Sequence, residues 1–376
     1  VAVVASVVHA LVKYERLLAF VTGTDLASAR LDVLVSMAFG PAAARAAIDA
    51  RLDAIESSAE RLGVAFSFPD WLVERIGQDI GQDALEAALA RMNELAPRVA
   101  RVNGLKTTRE TCAAALAAEG LAASPTVHAR HGLAFDGRFS PYRTKTFAAG
   151  DFEMQDEASQ LVGELVAPPP GSSVIDACAG AGGKTLALAA SLGGKGRVVA
   201  FDVAEAKLEE LRRRARRAGA SNVRAIAVDL LAPNDVLRPF EGAAARVLVD
   251  APCTGLGAIR RNPEARWRLK PEQFVSLAEA QGQLLRAAAS LVAPRGRLVY
   301  ATCSFLRREG EEVLERFLAE DLRFSLVTAR DVLGRARTES IATPDGRYLR
   351  TWRFDGSPDG GDAGMDGFFA GVARLA

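Results

Sequence analysis

Five apolar, β-branched runs recur along the later part of the chain: SVIDACAG (173–180), GRVVAFDV (196–203), NVRAIAVDLL (222–231), ARVLVDAPC (245–253) and GRLVYATCS (296–304). Most connections between them hold a helical stretch, namely KTLALAASLG, EAKLEELRRRARRAG and the longer PEQFVSLAEAQGQLLRAAASLV opened by Pro271. Strands alternating with helices specify a parallel, doubly wound sheet covered on both faces. Further on, LRFSLVTA and DGFFAGVARL bracket the helical EGEEVLERFLAE and suit antiparallel strands that close the sheet. The expected fold is therefore α/β and Rossmann-like, mostly parallel with an antiparallel closing strand.

What precedes this pattern differs in kind. Residues 1 to about 100 are rich in Ala, Leu, Arg and Glu. Pro41 is expected at a helix start, and Gly40 and Gly63 are expected at helix ends. The opening VAVVASVVHALVKYERLLAF lacks the basic run of a signal peptide and reads as a first helix. RVARVN (98–103), a turn at Asn103-Gly104 and a further helix make a compact α+β piece. The expected division is a helical N-terminal domain over 1–66, a small α+β segment over 67–145 and the large α/β domain over 146–376.

Composition narrows the function. With 49% hydrophobic and 25% charged residues, and no apolar stretch of the ~20 residues a bilayer requires, no membrane role is expected and the cytoplasm is the expected compartment. Four scattered cysteines without a CxxC, beside three histidines, suit neither a zinc site nor a disulfide framework, so no metal is expected. A net charge of +1 gives no overall signature of nucleic acid, but 137–145, 211–219 and 259–270 are basic. Such a run is usually a solvated face, although a local patch can bind phosphates.

In an open α/β sheet, ligands bind beyond the carboxyl ends of the strands. There the first run offers Asp176, Cys178 and the turn Ala179, Gly180, Ala181, Gly182, Gly183, Lys184. The second ends in Asp202, the third in Asp229, the fourth in Asp250 with Cys253, and the fifth in Cys303. The turn is not a P-loop, because Cys178 occupies the place of the first glycine, and it is not GxGxxG, because Thr185 occupies the third. Acidic strand ends after a glycine turn favour an adenosine without requiring a phosphate, and S-adenosylmethionine fits that description. A free cysteine is most often a small buried hydrophobe, which is the reading of Cys112. Cys253 and Cys303 both project toward the cofactor place. Carbon-5 of a pyrimidine is barely nucleophilic until a thiolate adds to carbon-6, and a proton must later leave carbon-5 so that the thiol can be eliminated. One cysteine can attack while a second group assists release, and Asp250 can bond the cytosine edge. The chemistry alone leaves open which cysteine attacks.

At these residues the chain resembles the Sun-domain family of bacterial ribosomal RNA (cytosine-5)-methyltransferases, the RsmB/NOP-type class I enzymes. DACAGAGGKT is similar to its D-x-C-A-A-P-G-G-K-T, DAPCTGLGAIRRNPEARW to its Pro-Cys segment and YATCSFLRREGEEV to its Thr-Cys-Ser segment. FAAGDFEMQDEASQLV and DGFF agree, and FPDWLVERI with RVNGLKTTRE resembles the small RNA-binding segment that precedes the catalytic domain. The resemblance implies that Cys303 is the nucleophile and Cys253 promotes release. It also implies that Cys178–Lys184, Asp202, Asp229 and Asp250 hold S-adenosylmethionine. DNA cytosine-5 methyltransferases use a Pro-Cys cysteine as nucleophile instead, which is the rival assignment. The basic segment with Arg260, Arg261, Arg266 and Trp267 is expected to hold RNA, most simply ribosomal RNA, with transfer RNA as the other candidate. The enzyme is expected to act as a monomer. The chain departs from the pattern at Gly180-Ala181, where Ala-Pro is usual, and at Trp352, where a proline is common. The resemblance also likens the N-terminal helices to the antitermination-factor-like RNA-binding domain of some relatives. A ribosome-assembly or RNA-binding factor with the same fold is the reading from another class; retention of both cysteines argues against it. A small-molecule methyltransferase is disfavoured by the paired cysteines and the basic segment.

Overall fold

A computed structural model describes residues 12–22, 50–137, 140–232, 235–354 and 364–376. The expected helix over 25–40, the first part of the one opened by Pro41, and most of the Gly/Asp-rich run 355–367 lie outside the described residues. The chain divides into two compact units: Val1–Leu95 with Ala258–Val275 and Phe354–Ser357, and Ala96–Gly257 with Ser276–Arg353 and Pro358–Ala376.

The first unit contains α1 (Glu15–Thr22), α2 (Ser58–Phe66), α3 (Asp70–Ile80) and α4 (Gln82–Met92). Ser57 starts α2 by accepting the Glu60 amide at 3.3 Å, as a Ser-x-x-Glu start leads one to expect. Leu72, Val73 and Ile76 of α3 and Leu85, Leu89 and Met92 of α4 repeat at helical spacing and are all buried.

The second unit carries two sheets. The smaller has the order β2–β3–β1–β4, built from β1 (Val99–Val102), β2 (Ala123–Pro125), β3 (Gly132–Phe135) and β4 (Phe152–Met154), all antiparallel. Its core joins Ala100, Val102, Leu133 and Phe152 to Cys112 and Leu116 of α5 (Arg109–Ala118). After α6 (Lys145–Ala149) and α7 (Glu157–Val166) the large sheet begins.

That sheet follows the order β10–β12–β9–β8–β5–β6–β7. Strands β5 (Ser173–Asp176), β6 (Arg197–Asp202), β7 (Val223–Ala227), β8 (Ala244–Asp250) and β9 (Val292–Thr302) are parallel. The closing β12 (Phe369–Leu375) runs antiparallel to β9, and β10 (Phe324–Val327) runs antiparallel to β12, as expected; the two-residue β11 (Leu349–Arg350) also pairs antiparallel with β12. The crossovers are α8 (Gly183–Ser191), α9 (Glu205–Ala218) and α11 (Gln273–Ala289), the last preceded by the short α10 (Ala265–Arg268); α12 (Glu311–Glu320) follows β9. Alternation along the strands explains the continuous apolar runs. Val174, Val198, Ala200, Leu248 and Val299 enter one core with α7, α8 and α9. Their neighbours Ile175, Val199, Phe201, Val249 and Leu298 enter another with α11 and α12. A strand buried on both faces has no polar side to show.

Among the described residues, no helix is long and apolar enough to cross a membrane.

Candidate active site

Strand order sets the carboxyl ends of β9, β8, β5, β6 and β7 side by side, so the residues singled out at those ends line one edge. The turn after β5 is stitched to both neighbours: Ala177 N–H donates to Leu248 O and Ala179 N–H to Phe201 O, each at 2.8 Å. Gly182 then opens α8 with φ +86°. A Cβ at Gly182 would lie 2.1 Å from Leu211 Cδ1 of α9, so both backbone and packing require glycine. Gly180, at φ +53°, faces open space where a Cβ would stand. No side chain caps α8, and its first N–H groups face the same edge. Asp202 braces the turn: Oδ2 accepts from Gly180 N–H at 2.8 Å and Oδ1 from Ala204 N–H at 2.9 Å. A carboxylate has about four lone-pair sites, which leaves capacity for two hydroxyls. Asp229 is exposed, with Oδ1 accepting from Leu231 N–H at 2.9 Å. Val203 and Leu231, 70% and 43% exposed, follow these two acids and offer apolar surface that the sequence reading passed over. An apolar residue one or two positions after each acid was the available signal.

Cys253 and Cys303, fifty positions apart, meet with Sγ atoms 3.4 Å apart, both as free thiols. They meet because β8 and β9 are parallel neighbours with Asp250 opposite Ala301, and the Gly257 N–H ties the loop to Cys303 O at 3.0 Å. The hydrogen bond with the Cys303 sulfur, then burial, then the charges of Cys303 and Glu309 push the Cys253 thiol well above its ordinary pKa. Lys184 Nζ reaches Asp250 Oδ2 at 2.7 Å and stands 4.9 Å from the centre of the Phe368 ring. Burial opposes the Lys184 charge, yet the Asp250 carboxylate, helped by Cys303 and Asp176, outweighs it and raises its pKa. Asp176 is buried, accepts from Thr185 Oγ1 at 2.7 Å, and is pushed up to about 7 chiefly by burial. Burial likewise raises Cys178, with the nearby carboxylates adding to it, and takes Cys112 to about 12, so neither is a ready thiolate.

The model of the 16S rRNA methyltransferase RsmB/F family matches residues 164–370. The chain belongs to this family. The RsmF/B-like ferredoxin-like domain matches residues 68–140. Among curated relatives, a "Probable ribosomal RNA small subunit methyltransferase B" of Synechocystis is 35% identical over 260 residues, 69% of this chain and 58% of that protein. The "Ribosomal RNA small subunit methyltransferase B" of Pseudomonas putida is 32% identical over 308 residues, 81% of this chain and 66% of that protein. The match thus spans about three fifths of the length of such RsmB relatives. The crystal structure of PH0851 is 26% identical with a TM-score of 0.81, covering 99% of this chain and 89% of that one. NSun6 from Pyrococcus horikoshii, solved with SFG, is 20% identical with a TM-score of 0.69, covering 82% and 98%; at that identity the likeness shows the fold alone.

The basic segment expected to hold RNA is placed differently in this RsmB/F member. Arg260 is 2% exposed and Arg266 is 0% exposed. The Arg266 fork donates to Ser67 O and Asn93 Oδ1 at 3.0 Å, its Nε to Pro263 O at 3.0 Å, and it lies 3.9 Å from the Phe68 ring centre. These two arginines are interior groups of the helical unit, which corrects the expectation of a phosphate contact. A charge run reads as surface unless its partners, here some 170 to 200 positions away, are known. Arg261 and Trp267 are half-buried, with Trp267 Nε1 donating to Val12 O at 3.3 Å. Among the described residues no group of three His, Cys, Asp or Glu is placed to hold a metal ion.

Proposed function

We propose that the chain transfers a methyl group from S-adenosylmethionine to carbon-5 of a cytosine in RNA, most simply 16S ribosomal RNA. The observation that carries this reading is the pair of free thiols 3.4 Å apart beside the Lys184–Asp250 ion pair. Binding alone needs no such constellation. The family name and the names of the relatives support the RNA class.

For the cofactor, the turn Cys178–Lys184, with Asp202 for the ribose hydroxyls, Asp229 toward the adenine and Val203 and Leu231 as apolar walls, has the donors and open space that S-adenosylmethionine requires. When bound, it supplies an electrophilic methyl group at the edge where the two thiols stand. Cys303 Sγ bonds to carbon-6 of the cytosine as its thiol proton is lost and the ring nitrogen takes up a proton, and the displaced electron pair makes carbon-5 nucleophilic. Asp250 holds the base edge and favours protonation of the ring nitrogen. After methylation the carbon-5 proton leaves to a base, its bonding pair restores the ring double bond, and the carbon–sulfur pair returns to Cys303. Cys253 assists that elimination. The target base must leave its stack to reach this edge. The segment over 67–145 is assigned to RNA, residues 146–376 to catalysis, and the helices over 1–66 to a further RNA contact.

The test is a denaturing gel of protein incubated with labelled RNA and S-adenosylmethionine. Cys303→Ala is expected to abolish methylation and form no adduct, whereas Cys253→Ala accumulates a slow protein–RNA band. An adduct in Cys303→Ala that vanishes in Cys253→Ala reverses the roles and gives the arrangement of the DNA enzymes. Full turnover in both variants overturns the catalytic reading.

A further inference from the structure

Glu309 is a carboxylate with 0% exposure, and among the described residues no lysine or arginine pairs with it. A buried charge without a countercharge is costly and is retained only where hydrogen bonds hold it. Those bonds converge on one short stretch. Glu309 Oε1 accepts from Thr254 N–H at 2.9 Å, and Oε2 accepts from the Thr254 hydroxyl at 2.5 Å. Gln281 Nε2 donates to Glu309 Oε1 at 3.1 Å and to Pro252 O at 2.9 Å. Tyr300, on the floor of the sheet, donates its hydroxyl to the Glu309 carbonyl at 2.6 Å and toward Gln281 Oε1 at 3.2 Å. The residues on both sides of Cys253 are thus held by one buried acid, Thr254 directly and Pro252 through Gln281, six positions after Cys303, while Cys253 itself is half-buried.

We infer that Glu309, with Gln281, is the positioning residue of Cys253: its carboxylate clamps Thr254 directly and Pro252 through the Gln281 amide, so that the Cys253 sulfur stands beside Cys303. A neutral apolar plug would fill the same volume but would hold neither the Thr254 amide nor its hydroxyl. The negative charge of Glu309 is also among the causes that keep the Cys253 thiol protonated. This rests on the cysteine roles proposed above, but what it demands is narrower. Loosening the clamp must reproduce whatever losing Cys253 does.

The experiment compares Glu309→Gln, Thr254→Val and Thr254→Ser with Cys253→Ala, using purified full chain, 16S RNA and S-adenosylmethionine. It reads first-turnover methyl transfer, steady-state turnover and the denaturation-resistant adduct, with thermal melting to verify folding. Glu309→Gln and Thr254→Val are expected to lower steady-state turnover ten-fold or more while first-turnover transfer stays within two-fold, and to accumulate the adduct. Thr254→Ser, which keeps both donors, is expected to behave as the parent. If Cys253→Ala accumulates adduct and the folded Glu309→Gln and Thr254→Val turn over as the parent does, the clamp is overturned and the cysteine roles stand. If Cys253→Ala itself leaves turnover intact, the cysteine reading fails and the positioning role of Glu309 is overturned with it. If the roles prove reversed, the clamp variants must lose the adduct as Cys253→Ala does; a different phenotype overturns the inference.

Discussion

Asp176 stands at the end of β5 with one oxygen on Thr185, and burial raises its pKa to about 7. An ordinary aspartate titrates near 4. The folded chain therefore holds this proton more tightly than the unfolded chain. The resulting stability is complete below about pH 4 and is lost as the pH rises toward about 7. Asp176→Asn keeps an acceptor for Thr185 and has no charge to bury, so it should flatten the slope and be the more stable protein at pH 8. Urea midpoints at pH 5 and pH 8 measure this; a parent and variant with equal pH dependence would refute it. Such placements were partly legible beforehand. Cys253 and Cys303 were readable because each ends an apolar run, and strand ends on one sheet share an edge. Glu309 was not readable, since its partners Thr254 and Gln281 lie 55 and 28 positions away and nothing local marks it as buried. It stands in the Thr-Cys-Ser segment among other charged residues, where solvent is the natural expectation.

The glycine turn shows how an element compensates for a departure from its family's pattern. Where Ala-Pro is usual, Gly180-Ala181 has more backbone freedom. Here Asp202 holds the Gly180 amide and Arg214 Nη1 of α9 donates to Ala181 O at 2.7 Å, so two side chains restrain what a proline ring would restrain covalently. Glu153 of β4 in turn pairs with Arg214 at 3.0 Å and with Arg217, linking the turn to the small sheet within the same unit. Gly182 has no such freedom. Alanine there would bear φ +86° at a cost of about 1–2 kcal/mol and would displace Leu211 at about 1–3 kcal/mol. Gly182→Ala should therefore lose roughly 2–5 kcal/mol in a denaturant titration. Adding Leu211→Ala should recover the packing part only, giving a clearly non-additive pair. Additive losses would mean that α9 does not confine the turn. The strands themselves were legible because a parallel strand buried on both faces is a continuous β-branched run, and the antiparallel closers because they follow the last crossover.

The whole chain is organised by a return that no local pattern announces: Ala258–Val275 leaves the α/β unit directly after the Cys253 loop and is counted with the helices of residues 1–95. Its arginines were expected to meet phosphate, yet Arg266 is used to satisfy Ser67 O, Pro263 O and Asn93 Oδ1 inside that unit, and burial lowers its pKa to about 9. Replacing it with methionine leaves the Asn93 oxygen and at least one carbonyl without a donor, each at about 1–3 kcal/mol. Arg266→Met should therefore melt at a lower temperature than the parent while the slope of RNA affinity against salt stays unchanged, because a group that contacts no phosphate releases no counterion. Lys270, exposed at the end of the same segment, gives the contrast. If the segment meets RNA, Lys270→Ala should leave the melting temperature alone and reduce the salt slope by about one. A salt slope reduced by Arg266→Met, with its melting temperature intact, would show that the guanidinium leaves its interior partners for phosphate and would restore the surface role that burial argues against.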